Sequence, residues 1–141
     1  MAMVTAGIAN SGTVMKPYLV DELRSHDLEV IDKTDPEPLT SNAVSAATAR
    51  MLTDMMVAVV DNGTAQTAQI PGVKVAGKTG TAQSAPSRPP YAWFVSFAPA
   101  DNPTVAVAVL VQDAGVDRDA ISGSGLAAPI AKAVMEAVLN P

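Results

Sequence analysis

The chain has 141 residues, nearly half of them apolar, no cysteine and a formal net charge of −5. That is one domain or part of one, with enough apolar content for a packed core rather than a disordered tail. The missing cysteines exclude disulfides, thiolate catalysis and thiolate-bound zinc. An acidic chain without a Lys/Arg run also lacks the positive face that nucleic acid requires.

Met1 to Ile8 is too short an apolar run for a secretory signal and has no basic residues before it. No stretch approaches the ~20 apolar residues that span a bilayer, so no membrane contact is expected from this segment. Residues 1–9 read as helix, ending at Asn10-Ser11-Gly12 with Gly12 at the C′ position. No Ser, Thr, Asp or Asn precedes that helix to cap its free N–H groups, so the native chain is expected to continue upstream. Residues 18–23 and 28–32 form a small hairpin around the polar turn Arg24-Ser25-His26-Asp27. Residues 34–40 read as loop, broken by Pro36 and Pro38.

Ser41 or Asn42 is expected to cap a helix over residues 44–60, whose apolar positions Val44, Ala47, Met51, Met55 and Val59, with Leu52 and Met56, follow helical spacing. Asn62-Gly63 stops it. A polar loop over residues 64–69 and a turn at Pro71-Gly72 lead to a strand, Val73-Lys74-Val75-Ala76, that runs into Gly77-Lys78-Thr79-Gly80-Thr81. After a loop with Pro86, Pro89 and Pro90 come strands at 91–98 and 104–112, a loop at 113–125 and an amphipathic helix at 127–139. The strands are joined without helices, which favours antiparallel pairing. The expected fold is α+β: a three-stranded antiparallel sheet with a C-terminal helix, a long preceding helix and a small hairpin.

Residues 72–79 fit the phosphate-loop pattern G-x-x-x-x-G-K-T. The context opposes it. Gly72 follows Ile70-Pro71 rather than a buried strand, and Thr79 is followed by Gly80 and the prolines rather than a helix whose N-terminus could meet a phosphate.

The other reading is K-T-G on a strand. Serine acyl-transfer enzymes that act on D-Ala-D-Ala or β-lactams carry K-T-G beside an S-x-x-K nucleophile motif and an S-x-N motif. Lys78 supplies a fixed positive charge. Thr79 and Thr81 alternate to one face, so both hydroxyls can meet one carboxylate. Gly80 lets a substrate backbone lie against the strand, and the Thr81 N–H is a candidate oxyanion donor. On these letters alone, an ordinary exposed lysine at a strand–turn junction is the favoured reading.

Elsewhere, His26 reads as a solvated loop residue. Met51, Met55 and Met56 read as core filler. Trp93 and Phe94 face opposite sides of one strand, one of them into the core. Asp113, Asp117, Arg118 and Asp119 read as a solvated loop without calcium-loop spacing. Residues 64–69 are placed at the border of the cleft. No metal and no cofactor is expected.

The longer run Val75-Ala76-Gly77-Lys78-Thr79-Gly80-Thr81-Ala82-Gln83 resembles the K-T-G strand of class B penicillin-binding proteins. Ala92 to Pro99 resembles the strand that follows it there, and Ile8 to Pro17 the segment after S-x-N. Val59 to Ala65 and Ala127-Ala128-Pro129-Ile130 are similar to the turn before K-T-G and to the start of the last helix. The resemblance covers essentially the whole chain, in order, and is greatest to the actinobacterial type. It implies a penicillin-binding/β-lactamase-like transpeptidase fold and an extracytoplasmic, membrane-anchored parent. It further implies peptidoglycan stem peptides and β-lactams as partners. Lys78, Thr79, Gly80 and Thr81 become the substrate side of the site, Lys78 and the Thr81 N–H taking the catalytic roles.

No serine here is followed three residues on by lysine, and there is no S-x-N. The whole chain, residues 1–141, is therefore expected to be the C-terminal portion of a transpeptidase domain whose nucleophile lies in the missing N-terminal part. A non-catalytic β-lactam sensor shares that fold and stays open as an alternative, as do carboxypeptidase and β-lactamase activities. A sheet without its neighbours is expected to leave an exposed edge and an apolar face.

Overall fold

The computed structural model of the chain describes residues 1–83 and 88–140; Pro86, placed above in the proline loop, lies outside them. Helix α1 (Ala2–Ala9) leads into two small antiparallel ladders. β1 (Val14–Met15) pairs with β4 (Pro38–Thr40), and β2 (Glu22–Arg24) with β3 (Val30–Lys33). Helix α2 (Ala46–Asp61) precedes the main sheet of β5 (Ala76–Ala82), β6 (Tyr91–Ala98) and β7 (Val105–Val111), antiparallel in that order. Helix α3 (Ala128–Leu139) closes the chain. The α+β reading, the three-stranded sheet and its closing helix are all present.

Central β6 organises the core by its two-residue period. Phe94 and Ala98 join Val60, Val75, Ala131 and Met135 in one cluster, between the sheet and α3. Phe97 joins Met56 and Ala76 in a second, with Ile8 and Val57 packed against it. Phe94 and Phe97 are fully buried, each stabilising the fold by roughly 1.5–3 kcal/mol relative to exposure.

Several local expectations are corrected. Ser45, not Ser41 or Asn42, caps α2: its hydroxyl accepts the Thr48 N–H at 3.1 Å. Left-handed backbone after α1 is taken by Ser11 (φ 53°), with Gly12 (φ 92°) one place further. The Gly12 N–H reaches the Gly7 carbonyl at 2.8 Å, closing a Schellman-type turn. A side chain at Gly12 would run into the Val44 carbonyl. Residues 38–40 pair with β1 despite Pro38, which stands at the first position of a short strand, where a proline is tolerated. Of the three methionines only Met56 is core, 7% exposed; Met51 and Met55 are 57% and 58% exposed, one helical turn apart on the outer face of α2.

Edges and apolar faces remain open, as expected. Among the described residues, β5 and β7 each pair on one side. Leu110 on β7 is exposed, as are Ile130, Val134 and Val138, which make one stripe along α3.

Candidate functional site

All four residues singled out on the K-T-G motif lie on β5, within the strand and not after it. Lys78 stands opposite Val95, Thr79 opposite Phe94, Gly80 opposite Trp93 and Thr81 opposite Ala92. Lys78 and Thr79 thus continue a ladder. The strand runs on to Ala82, so no helix starts at Thr79, and Gly72 sits in a turn closed by an Ile70–Val73 bridge. The phosphate-loop reading fails on that geometry.

Gly77 explains how β5 is seated. A Cβ there would come within 2.5 Å of the Phe94 ring and 3.1 Å of Val60. The strand therefore presses directly onto the core just before Lys78. From Lys78 onward it emerges: Lys78 and Thr81 are exposed, Thr79 and Gly80 half-buried. Above Gly80 the space is open apart from the Trp93 Cβ, 3.3 Å from where a Cβ would stand. A ligand backbone can approach the strand there.

Polar groups gather around this stretch. Lys78 Nζ donates to the Thr79 carbonyl at 2.7 Å, bending its charge back over the motif. The Thr79 hydroxyl lies 3.0 Å from that of Thr64, so the loop after α2 does border the strand. Thr67 in the same loop donates to the Ser124 carbonyl at 2.8 Å. Ser124 belongs to a single π-turn, Gly123–Ala127, that runs into α3 and is capped by Ser122 accepting the Gly125 N–H. This turn sits against the strand: a Cβ on Gly123 would be 3.0 Å from both Gly80 N and Gly80 O, and closer still to the Trp93 carbonyl oxygen.

The supporting residues Gly123 and Ser124 fall in a region that the sequence marks only as loop. Their signal, two glycines and two serines before the last helix, names no partner in a strand some forty residues earlier. Arg118, read as part of a solvated loop, reaches the residue just after the strand, donating to Gln83 Oε1 at 2.8 Å. Phe94 is the core-facing aromatic; Trp93, on the other face, is half-buried. His26 pairs with Asp27 at 3.0 Å in an exposed turn. A cavity of about 960 Å³ lies between α1, α2 and the β6–β7 turn, lined by Ile8, Arg50, Asp54, Lys74 and Asp101 among others, and the K-T-G residues do not line it.

The family described as penicillin binding protein transpeptidase domain matches residues 1–136. The chain is 49% identical over 142 residues to peptidoglycan D,D-transpeptidase PbpA of Mycolicibacterium smegmatis, covering 99% of this chain and 28% of that protein. PbpA of Mycobacterium tuberculosis is 46% identical over the same shares. Among solved structures, the ceftriaxone acyl-enzyme complex of penicillin-binding protein A from M. tuberculosis superposes with a TM-score of 0.90 at 44% identity, covering 99% of this chain and 31% of that one. Its penicillin G acyl-enzyme complex gives 0.85 at 46% identity over the same shares. The chain spans less than a third of the length of these relatives.

Proposed function

We propose, because the chain belongs to the penicillin-binding protein transpeptidase family, that it forms the K-T-G side of a peptidoglycan D,D-transpeptidase site. The nucleophilic serine comes from a preceding part of the same protein, on the extracytoplasmic face of the membrane. One observation carries this reading: Lys78, Thr79, Gly80 and Thr81 follow one another on an edge strand, with open space over Gly80. The exposed apolar stripe of α3 and the edge of β7, unpaired among the described residues, support a larger domain that covers them.

In this mechanism the terminal carboxylate of a D-Ala-D-Ala stem peptide meets the Thr79 and Thr81 hydroxyls. The serine hydroxyl gives up its proton as its oxygen attacks the penultimate carbonyl carbon; a C–O bond forms, the carbonyl oxygen becomes an oxyanion, and that proton goes to the leaving nitrogen. The Thr81 N–H donates to that oxyanion, a contribution worth about 3 kcal/mol. Collapse breaks the C–N bond and releases the terminal D-Ala with a proton. An acceptor amine then attacks the acyl-serine, forming the cross-link and restoring the serine. Lys78 holds positive charge beside the substrate and the serine's proton path. β-Lactams enter the same route and stop at the acyl-enzyme.

Intact mass of the full-length protein after exposure to benzylpenicillin tests the reading. A single adduct on a serine outside this segment is expected, and a D-Ala-D-Ala peptide with an amine acceptor should turn over. Absence of any adduct contradicts the proposal. An adduct without turnover leaves a β-lactam sensor instead.

A further inference from the structure

The loop between β7 and α3 touches the K-T-G strand at a second place. Arg118 opens a short 3-10 turn, Arg118–Ala120. Its Nη2 donates to Gln83 Oε1 at 2.8 Å and its Nη1 to the Arg88 carbonyl at 3.1 Å. Gln83 immediately follows β5, and Arg88 stands three residues before the start of β6. A single guanidinium therefore binds both ends of the β5–β6 connection. The planar, permanently charged fork of arginine is suited to two acceptors at once.

The ladder at this end is short of support. Ala82 opposite Tyr91 is its last pair, and Thr81 opposite Ala92 is the one before. β5 has no strand on its other side among the described residues. The terminal pairs of an edge strand open at the low end of the stability range, because little else is lost when they part. Fraying by a single pair reaches Thr81.

We infer that Arg118 is a positioning residue: by clasping Gln83 and Arg88 it keeps the β5–β6 ladder closed past Thr81. The Thr81 N–H and hydroxyl are thereby held where the reacting carbonyl and the carboxylate need them. This inference rests on the proposed reading of Lys78 to Thr81 as the substrate side. It assigns to the distal loop a part in the acylation step, without contact with substrate. Charge alone does not perform this role; the two-acceptor geometry does. A lysine at 118 keeps the charge but offers a compact point donor on a flexible stem.

The test compares the full-length protein with its Arg118→Ala, Arg118→Lys and Gln83→Ala variants and the Arg118→Ala/Gln83→Ala pair. Two readouts are taken: deuterium uptake of the peptide covering residues 79–83, and the second-order rate of acylation by benzylpenicillin. Every variant is expected to exchange faster over residues 79–83. Acylation is expected to slow about tenfold in Arg118→Ala and in Arg118→Lys, within the range that sub-ångström to 1 Å misplacement gives. The double variant should be no slower than Arg118→Ala, because both substitutions break the same clasp. Unchanged exchange, additive losses in the double variant, or full recovery by Arg118→Lys overturns the inference. A wild-type protein that takes up no penicillin sinks the transpeptidase reading instead, and the exchange data still decide the clasp.

Discussion

Replacing Gly123 by alanine pushes on the K-T-G strand through its backbone. The added Cβ stands 3.0 Å from Gly80 N and from Gly80 O, and nearer still to the Trp93 carbonyl oxygen. All three are backbone atoms, so no rotamer change removes the overlap. Restoring an ordinary contact near 3.5 Å or more requires a shift on the order of 1 Å, shared between the turn and the strand. Gly80 lies between Thr79 and Thr81, so the shift passes to both substrate hydroxyls and to the Thr81 N–H. A misplacement of about 1 Å lowers the acylation rate roughly 10²-fold, while overpacking costs about 1–3 kcal/mol of stability. Gly125→Ala is the control in the same turn: its Cβ meets only the Ser122 hydroxyl, at 3.0 Å, a side-chain group that gives way at the cost of its hydrogen bond from the Gly125 N–H. Stopped-flow acylation of the full-length protein by a fluorescent penicillin, with melting curves alongside, reads both effects. Wild-type acylation in Gly123→Ala, or an equal loss in Gly125→Ala, refutes the reasoning.

Thr79→Val keeps the side-chain shape and removes the hydroxyl that faces Thr64. Acylation should fall roughly ten- to a hundredfold, the cost of about 1.5–3 kcal/mol for one hydrogen bond to a carboxylate; stopped-flow kinetics with a carboxylate-bearing β-lactam measures it. Ser96→Ala should raise the melting temperature. The Ser96 hydroxyl is fully buried without a hydrogen-bond partner among the described residues, and removing such a group recovers about 1 kcal/mol; a lower melting temperature shows that the hydroxyl is satisfied in solution. Ser45→Ala removes the cap on α2 and should cost about 1 kcal/mol, visible as a lower melting temperature with unchanged acylation kinetics.

The legible parts of the fold are those whose signal is local. β6 and β7 carry long β-branched and aromatic runs, and α2 and α3 carry helical spacing, so their places could be read to within a residue or two. K-T-G was legible as a strand because the prolines and Gly80 left no room for a helix. The misses depend on contacts distant in sequence. Ser11 and Gly12 both take positive φ, and Gly12 lies against the Val44 carbonyl, a contact set by a residue distant in sequence. Pro38 argued against a strand, yet it starts one too short to need its missing N–H. Met51 and Met55 share the helical period of Met56, and only the position of the sheet decides which face is buried. At the site, the roles proposed for Lys78 to Thr81 come from residue types. The supports behind it were not: Gly123 against Gly80, Thr67 on Ser124 and Arg118 on Gln83 are meetings of loops that have no periodicity.

The central claim is that the strand from Lys78 to Thr81 receives the substrate. Its most direct test is a crystal structure of the full-length protein acylated by benzylpenicillin. The expected result places the drug carboxylate within hydrogen-bond reach of the Thr79 and Thr81 hydroxyls, with its former β-lactam carbonyl oxygen about 2.7–3.1 Å from the Thr81 nitrogen. A drug bound covalently elsewhere, with β5 untouched, would contradict the assignment.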